Sequence, residues 1–175
     1  MGEVNEEPYI DGSCDVVLDT AKSVYYEEID RLKQTEAKTN ITLAFVGVVF
    51  GAYLTYLSGF KLTIKETSYI VYTILFKVII FVCYIISIIY FLKAISTDKY
   101  EQVGLGEIAS EPFARQDEKI TKLRVAFTYR DVVSRNMVIL EEKLKFYKRG
   151  LYIMACGLMV FAIHFLIEEV IRHVR

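Results

Sequence analysis

Residues 68–92 read SYIVYTILFKVIIFVCYIISIIYFL, and the only charge in that run is Lys77. A bilayer's hydrocarbon core takes roughly 20 residues of apolar helix, so this stretch is long enough to cross it. Residues 41–60, ITLAFVGVVFGAYLTYLSGF, carry no charge, and neither do residues 151–167, LYIMACGLMVFAIHFLI. The last run continues past Glu168 and Glu169 toward Ile171. Charged residues crowd the segments between. That segregation is how a chain of 175 residues is both 54% hydrophobic and 25% charged, with mean hydropathy +0.33.

The expectation is an all-α integral membrane protein with three transmembrane helices. N-terminal and central cytoplasmic helices complete a helical bundle. Residues 1–40 are read as an N-terminal cytoplasmic amphipathic helix and 41–94 as a transmembrane hairpin. Residues 95–150 form a cytoplasmic loop and long helix, and 151–175 the third span with a short outer tail. The opening MGEVNEEPYIDG is acidic, unlike a cleaved signal. Glu6 stands where myristoylation wants Ser or Thr.

Lys and Arg placement sets the orientation. Lys22, Arg31, Lys33 and Lys38 precede the first span, and a dense series from Lys93 to Arg149 lies between the second and third. Only Lys61 and Lys65 occupy the link between the first two spans, and only Arg172 and Arg175 follow the third. The N-terminus and central segment are therefore expected in the cytoplasm of a multi-pass protein of the cell's inner membrane.

Chemistry-bearing constellations are sparse. A net charge of -1 without a basic tract gives no ground for direct nucleic-acid binding. Cys14, Cys83 and Cys156 lack CxxC spacing, and His164 and His173 do not make a zinc set. Gly104-Leu105-Gly106 reads as loop punctuation. No nucleophile–base pair or cofactor fingerprint is present. The expectation is no enzyme, with no catalytic, cofactor-binding or metal residues.

From about Asp15 to Thr39, Leu18, Ala21, Tyr25, Ile29 and Leu32 recur at helical spacing, with Ser13 or Asp15 as cap. A second helix is expected from about Phe113 to Arg149. Its seam, Leu123, Ala126, Arg130, Val133, Met137, Leu140, Leu144, Tyr147 and Leu151, steps by three and four. The seam packs either on the N-terminal helix of the same chain or between subunits, and Val133, Met137, Leu140, Leu144 and Tyr147 are the candidate oligomer contacts. Gly150 either lets this helix run on into the third span or breaks it.

Inside lipid, a polar side chain must find a partner, reach the interface or face water. At ~100° per residue, Tyr69, Thr73, Lys77, Tyr84 and Ser87 share one arc of the second span. The third span carries Gly150, Gly157, His164, Glu168 and Arg172 as its polar and small stripe, where Glu168 and Arg172 are spaced to pair. Thr73, Lys77, Tyr84, Ser87, His164 and Glu168 are the candidate pore or bundle polar face. Lys77 has three readings: snorkelling to the outer interface, pairing with Glu168, or lining a lumen. Gly47 and Gly51 form a GxxxG match, and with Gly157 they are the candidate helix-packing glycines.

Three helices cannot enclose a hydrophilic path alone, so conduction requires several copies. The order of elements carries a resemblance. DTAKSVYYEEIDRLKQTEAKTN precedes the first span, a tight outer link follows, and AFTYRDVVSRNMVILEEKLKFYKRG lies behind the second. This arrangement resembles small bacterial membrane effectors of anti-phage defence, including two-span modules of the SLATT type. The third span departs from a two-span pattern, and no site residue is carried over. The resemblance implies an effector that forms a pore in the lipid bilayer or perturbs it as a homo-oligomer, switched on by a cytoplasmic protein or a nucleotide signal sensed elsewhere. The alternative is a non-conducting anchor, scaffold or regulatory subunit that recruits a cytoplasmic partner.

Overall fold

A computed structural model describes residues 11–60, 66–96, 100–104, 106, 111 and 115–174. The acidic opening, the link with Lys61 and Lys65, and most of the loop around Leu105 lie outside the described residues. Among those described, three helices account for the architecture: α1 (Asp11–Gly59), α2 (Thr67–Ser96) and α3 (Glu118–Val174). All three are long and apolar enough to cross a membrane. The protein is an all-α membrane protein.

Two boundaries differ from the sequence expectation. α1 is already helical at Asp11, so Ser13 and Asp15 lie inside it, and it continues unbroken into the first span. α3 starts at Glu118 rather than near Phe113, because Asp117 caps it: the Lys119 amide donates to Asp117 Oδ1 at 2.9 Å. Gly150 does not interrupt α3.

The chain forms two compact units, one of Met1–Gln34 with Asp98–Glu141, the other of Thr35–Thr97 with Glu142–Arg175. In the first, a charged unit, Tyr25, Val132 and Val133 form the core, with Ile29, Val103 and Tyr129 packed on it. Leu32, Ala126 and Leu140 are also buried. Lys122 donates to Asp15 at 2.6 Å and to Glu118 at 2.8 Å. These carboxylates hold its ammonium above the usual lysine range. A raised lysine stabilises below its ordinary value and loses that contribution only as pH climbs through the raised one, so this tie is constant near neutrality.

Asn136, fully buried, clamps the segment behind α2. Its Oδ1 accepts from the Glu101 amide at 2.8 Å and its Nδ2 donates to the Glu101 carbonyl at 3.0 Å. Arg135 adds a 2.6 Å bond to the Glu101 carboxylate. Asn136→Ala is therefore expected to cost about 1–3 kcal/mol, because two part-buried hydrogen bonds to the Glu101 backbone are lost together. Hydrogen exchange should quicken at the Glu101 and Val103 amides. Unchanged exchange there would mean the clamp holds nothing.

In the second, membrane unit, Val46, Tyr53, Ile80, Tyr84, Phe91 and Met154 form the core. Lipid is as apolar as leucine, so close packing rather than exclusion from water joins these helices. α3 supplies two points of close approach. A Cβ on Gly150 would lie 3.2 Å from the Phe91 ring, and one on Gly157 would lie 3.0 Å from Cys83 Cβ. Ser87 donates to the Gly150 carbonyl at 2.9 Å, and Tyr53 to the Lys77 carbonyl at 2.6 Å. Val71, Ile74, Leu75, Val78 and Ile89 of α2 are exposed on the surface of this unit.

Candidate polar site in the membrane unit

The buried residues of α2 are Thr73, Ile80, Tyr84, Ser87, Phe91 and Ala94, recurring at helical spacing. The polar arc projected from the sequence therefore coincides with the face that packs within the chain. Thr73, Tyr84 and Ser87 all lie on it.

Its focus is Glu168, 5% exposed on α3. Tyr69 donates its hydroxyl to Glu168 Oε2 at 2.7 Å, and Thr73 donates to Oε1 at 3.0 Å. One helical turn earlier, His164 is fully buried, with Nε2 3.8 Å from Glu168 Oε1. That separation exceeds a hydrogen bond. The imidazole stacks on Phe76 with ring centroids 5.7 Å apart and tilts against Tyr72 at the same separation. Neither ring nitrogen has a hydrogen-bond partner among the described residues, and the hydroxyls of Tyr56, Tyr72 and Tyr84 share that condition. A carboxylate, an imidazole and several hydroxyls are thus enclosed in an apolar bundle with only part of their bonding capacity used. Such a set has spare capacity to bond water or a proton.

Lys77 stands apart from this set. Its ammonium lies 2.6 Å from the centroid of the Phe60 ring, just past the end of α1, and 5.2 Å from that of Tyr56 on α1. The faces of aromatic rings attract a cation electrostatically. Glu168 does not pair with Arg172 either. Arg172 sits 3.4 Å from Glu169, while Glu168 turns inward to the two hydroxyls.

The packing glycines divide. Gly157 meets α2 at Cys83, whereas a Cβ on Gly47 or Gly51 would meet nothing within 4 Å. The GxxxG face is open among the described residues. The seam of α3 divides as well. Val133 and Leu140 are buried, Leu144 is half-buried, and Met137 is 44% exposed. Tyr147 belongs to the membrane unit, its hydroxyl 3.3 Å from that of Thr42 and its ring edge-on to Phe91.

The sequence reading passed over Tyr53, whose hydroxyl ties α1 to α2. The available signal was a tyrosine in mid-span, which needs a partner for its hydroxyl. It also passed over Asn136, whose clamp depends on a loop segment with no periodicity of its own.

Comparison with curated proteins gives no match, and neither does comparison with solved structures. Comparison with protein families does. The model of the Pycsar effector protein domain, PycTM, matches residues 20–168, a stretch that takes in all three spans and the polar cluster between α2 and α3. The chain belongs to this family of transmembrane effectors of anti-phage defence.

Proposed function

We propose that this membrane effector acts as a homo-oligomer that opens a pore, or otherwise breaches the bilayer, when α2 separates from α3. It sits in the inner membrane with its N-terminus and central segment in the cytoplasm, where a protein or small signal triggers it, and it catalyses no reaction. The observation that carries this reading is the buried carboxylate of Glu168. A charge buried to this extent costs several kcal/mol even when hydrogen-bonded, and packing alone would be better served by leucine. Separation of the two helices rehydrates Glu168 and turns Thr73, Tyr84, Ser87 and His164 toward a lumen. The open Gly47–Gly51 face and exposed Met137 supply surfaces for neighbouring copies. A scaffold that recruits a soluble partner is the second reading. It is favoured by an apolar groove of about 380 Å³ in the charged unit, lined by Val16, Val17, Val24, Ala126, Phe127 and Val133 among others.

A disulfide lock tests the opening step. Cβ atoms in a disulfide lie about 3.8 Å apart, so Gly157→Cys facing Cys83 at 3.0 Å needs only a small relaxation. Cys14→Ser and Cys156→Ala keep other thiols out. In reconstituted vesicles the oxidised protein should hold a trapped dye and the reduced protein should release it. Equal release in both states would overturn opening at this seam. No release in either, at any protein-to-lipid ratio, would favour the scaffold.

A further inference from the structure

At the end of the membrane unit far from Glu168, α2 stops and α3 enters its apolar run. The sequence there is KLKFYKRGLY, three exposed cations at Lys145, Lys148 and Arg149 followed at once by the uncharged stretch 150–167. Tyr90, Lys148, Arg149, Tyr152 and Ile153 line a pocket of about 310 Å³. That volume is at the lower end of the range for small-ligand sites.

Two other lysines show what this chain does with cations that need protein partners. Lys143 is buried and donates to Glu36 at 2.7 Å, and Lys122 takes two carboxylates. Lys148 and Arg149 differ, making no ion pair among the described residues. Both sit at the boundary between polar and apolar sequence, between two tyrosines of which Tyr152 is 73% exposed. Tyrosine favours the headgroup level because its ring is apolar and its hydroxyl wet. Arginine matches a phosphate with two parallel donors, and lysine meets it as a point charge. Basic pockets between membrane helices take anionic headgroups in this way.

We propose that Lys148, Arg149, Tyr90 and Tyr152 form a binding site for the phosphodiester headgroup of an anionic phospholipid. The cations hold the phosphate, the tyrosine hydroxyls donate to headgroup oxygens, and Ile153 lies beside the start of an acyl chain. The site is independent of whether the effector forms a pore.

The chain contains no tryptophan, so a single introduced one reports its lipid neighbours. Leu151→Trp places the reporter next to the pocket without touching the four residues. Ile163→Trp, further along the lipid-exposed surface of α3, is the control. Each full-length variant is reconstituted into phosphatidylcholine vesicles carrying brominated phosphatidylglycerol or brominated phosphatidylcholine, and quenching gives the relative affinity for the two lipids. The Leu151→Trp reporter should favour phosphatidylglycerol by at least about fivefold, the effect of one basic residue at an anionic surface. Ile163→Trp should show no preference. Lys148→Gln with Arg149→Gln should bring the ratio near one. Lys33→Gln with Arg124→Gln, which removes the same charge elsewhere, should leave it standing. Three results would overturn the site: a ratio near one in the parent, a preference that survives loss of both cations, or an equal fall in the distant pair. Displacement by inorganic phosphate would overturn the lipid assignment in favour of free phosphate.

Discussion

Glu168→Leu is expected to raise the melting temperature of the effector while abolishing the proposed release of vesicle contents. Replacing a buried ion pair by hydrophobes of similar volume is often neutral or stabilising, by about 1–4 kcal/mol, and a carboxylate held by neutral hydroxyls carries the desolvation cost without an ion pair's attraction. The partners left behind are the hydroxyls of Tyr69 and Thr73. A helical threonine readily finds another acceptor. Thr39, Thr42 and Thr55 each donate to the carbonyl four residues earlier, at 2.8, 2.8 and 3.0 Å. Thr73 can do the same, and Tyr69 is only half-buried, two residues inside the start of α2. The cost of burying the carboxylate therefore outweighs the bonds it accepts. In the proposed mechanism that cost favours opening, since the charge regains water when α2 and α3 part. Leucine removes the incentive. Thermal denaturation followed by circular dichroism, run beside dye release, checks both halves. A lowered melting temperature with release intact would make Glu168 a structural tie and nothing more. Glu168→Gln, which keeps an acceptor without the charge, tells which of the two properties release depends on.

The second large effect separates the two sides of the α3 seam. Leu140→Asp should unfold the charged unit, because Leu140 is 3% exposed and an unpartnered charge there costs several kcal/mol. Met137→Asp, three residues away and 44% exposed, should leave the fold intact and lower the mass of the proposed assembly. Circular dichroism reads the first outcome and light scattering of detergent-solubilised protein the second. An unchanged mass for folded Met137→Asp would remove this surface from the interface. A folded Leu140→Asp would contradict its burial in the chain.

The pairing of these two residues shows where sequence reading stops. Val133, Met137 and Leu140 step along α3 by four and three, and periodicity assigned them to one seam. The structure buries the first and last and leaves the middle one exposed, because the N-terminal part of α1 and the segment at Val103 cover only part of that stripe. The glycines behaved alike in sequence and differently in space. Gly47 and Gly51 form the recognised pattern but meet nothing among the described residues, whereas Gly157, with no such pattern, is a point of close approach between α2 and α3.

By itself the sequence determined the number of spans, their order and the all-helical class. These follow from hydrocarbon thickness, the absence of charge over three long runs, and the need of every backbone group in lipid for a partner. It also placed Tyr69, Thr73, Lys77, Tyr84 and Ser87 on one face, since helical period alone fixes which residues share a side. Only the tertiary structure decided what that face meets. Glu168 turns to Tyr69 and Thr73 rather than to Arg172, and Lys77 rests on the rings of Phe60 and Tyr56. Hydropathy cannot make that distinction, because a side chain packed on another helix and one packed on lipid see equally apolar surroundings. The difference lies in shape and hydrogen bonding across helices, which depend on residues as far apart as Tyr69 and Glu168.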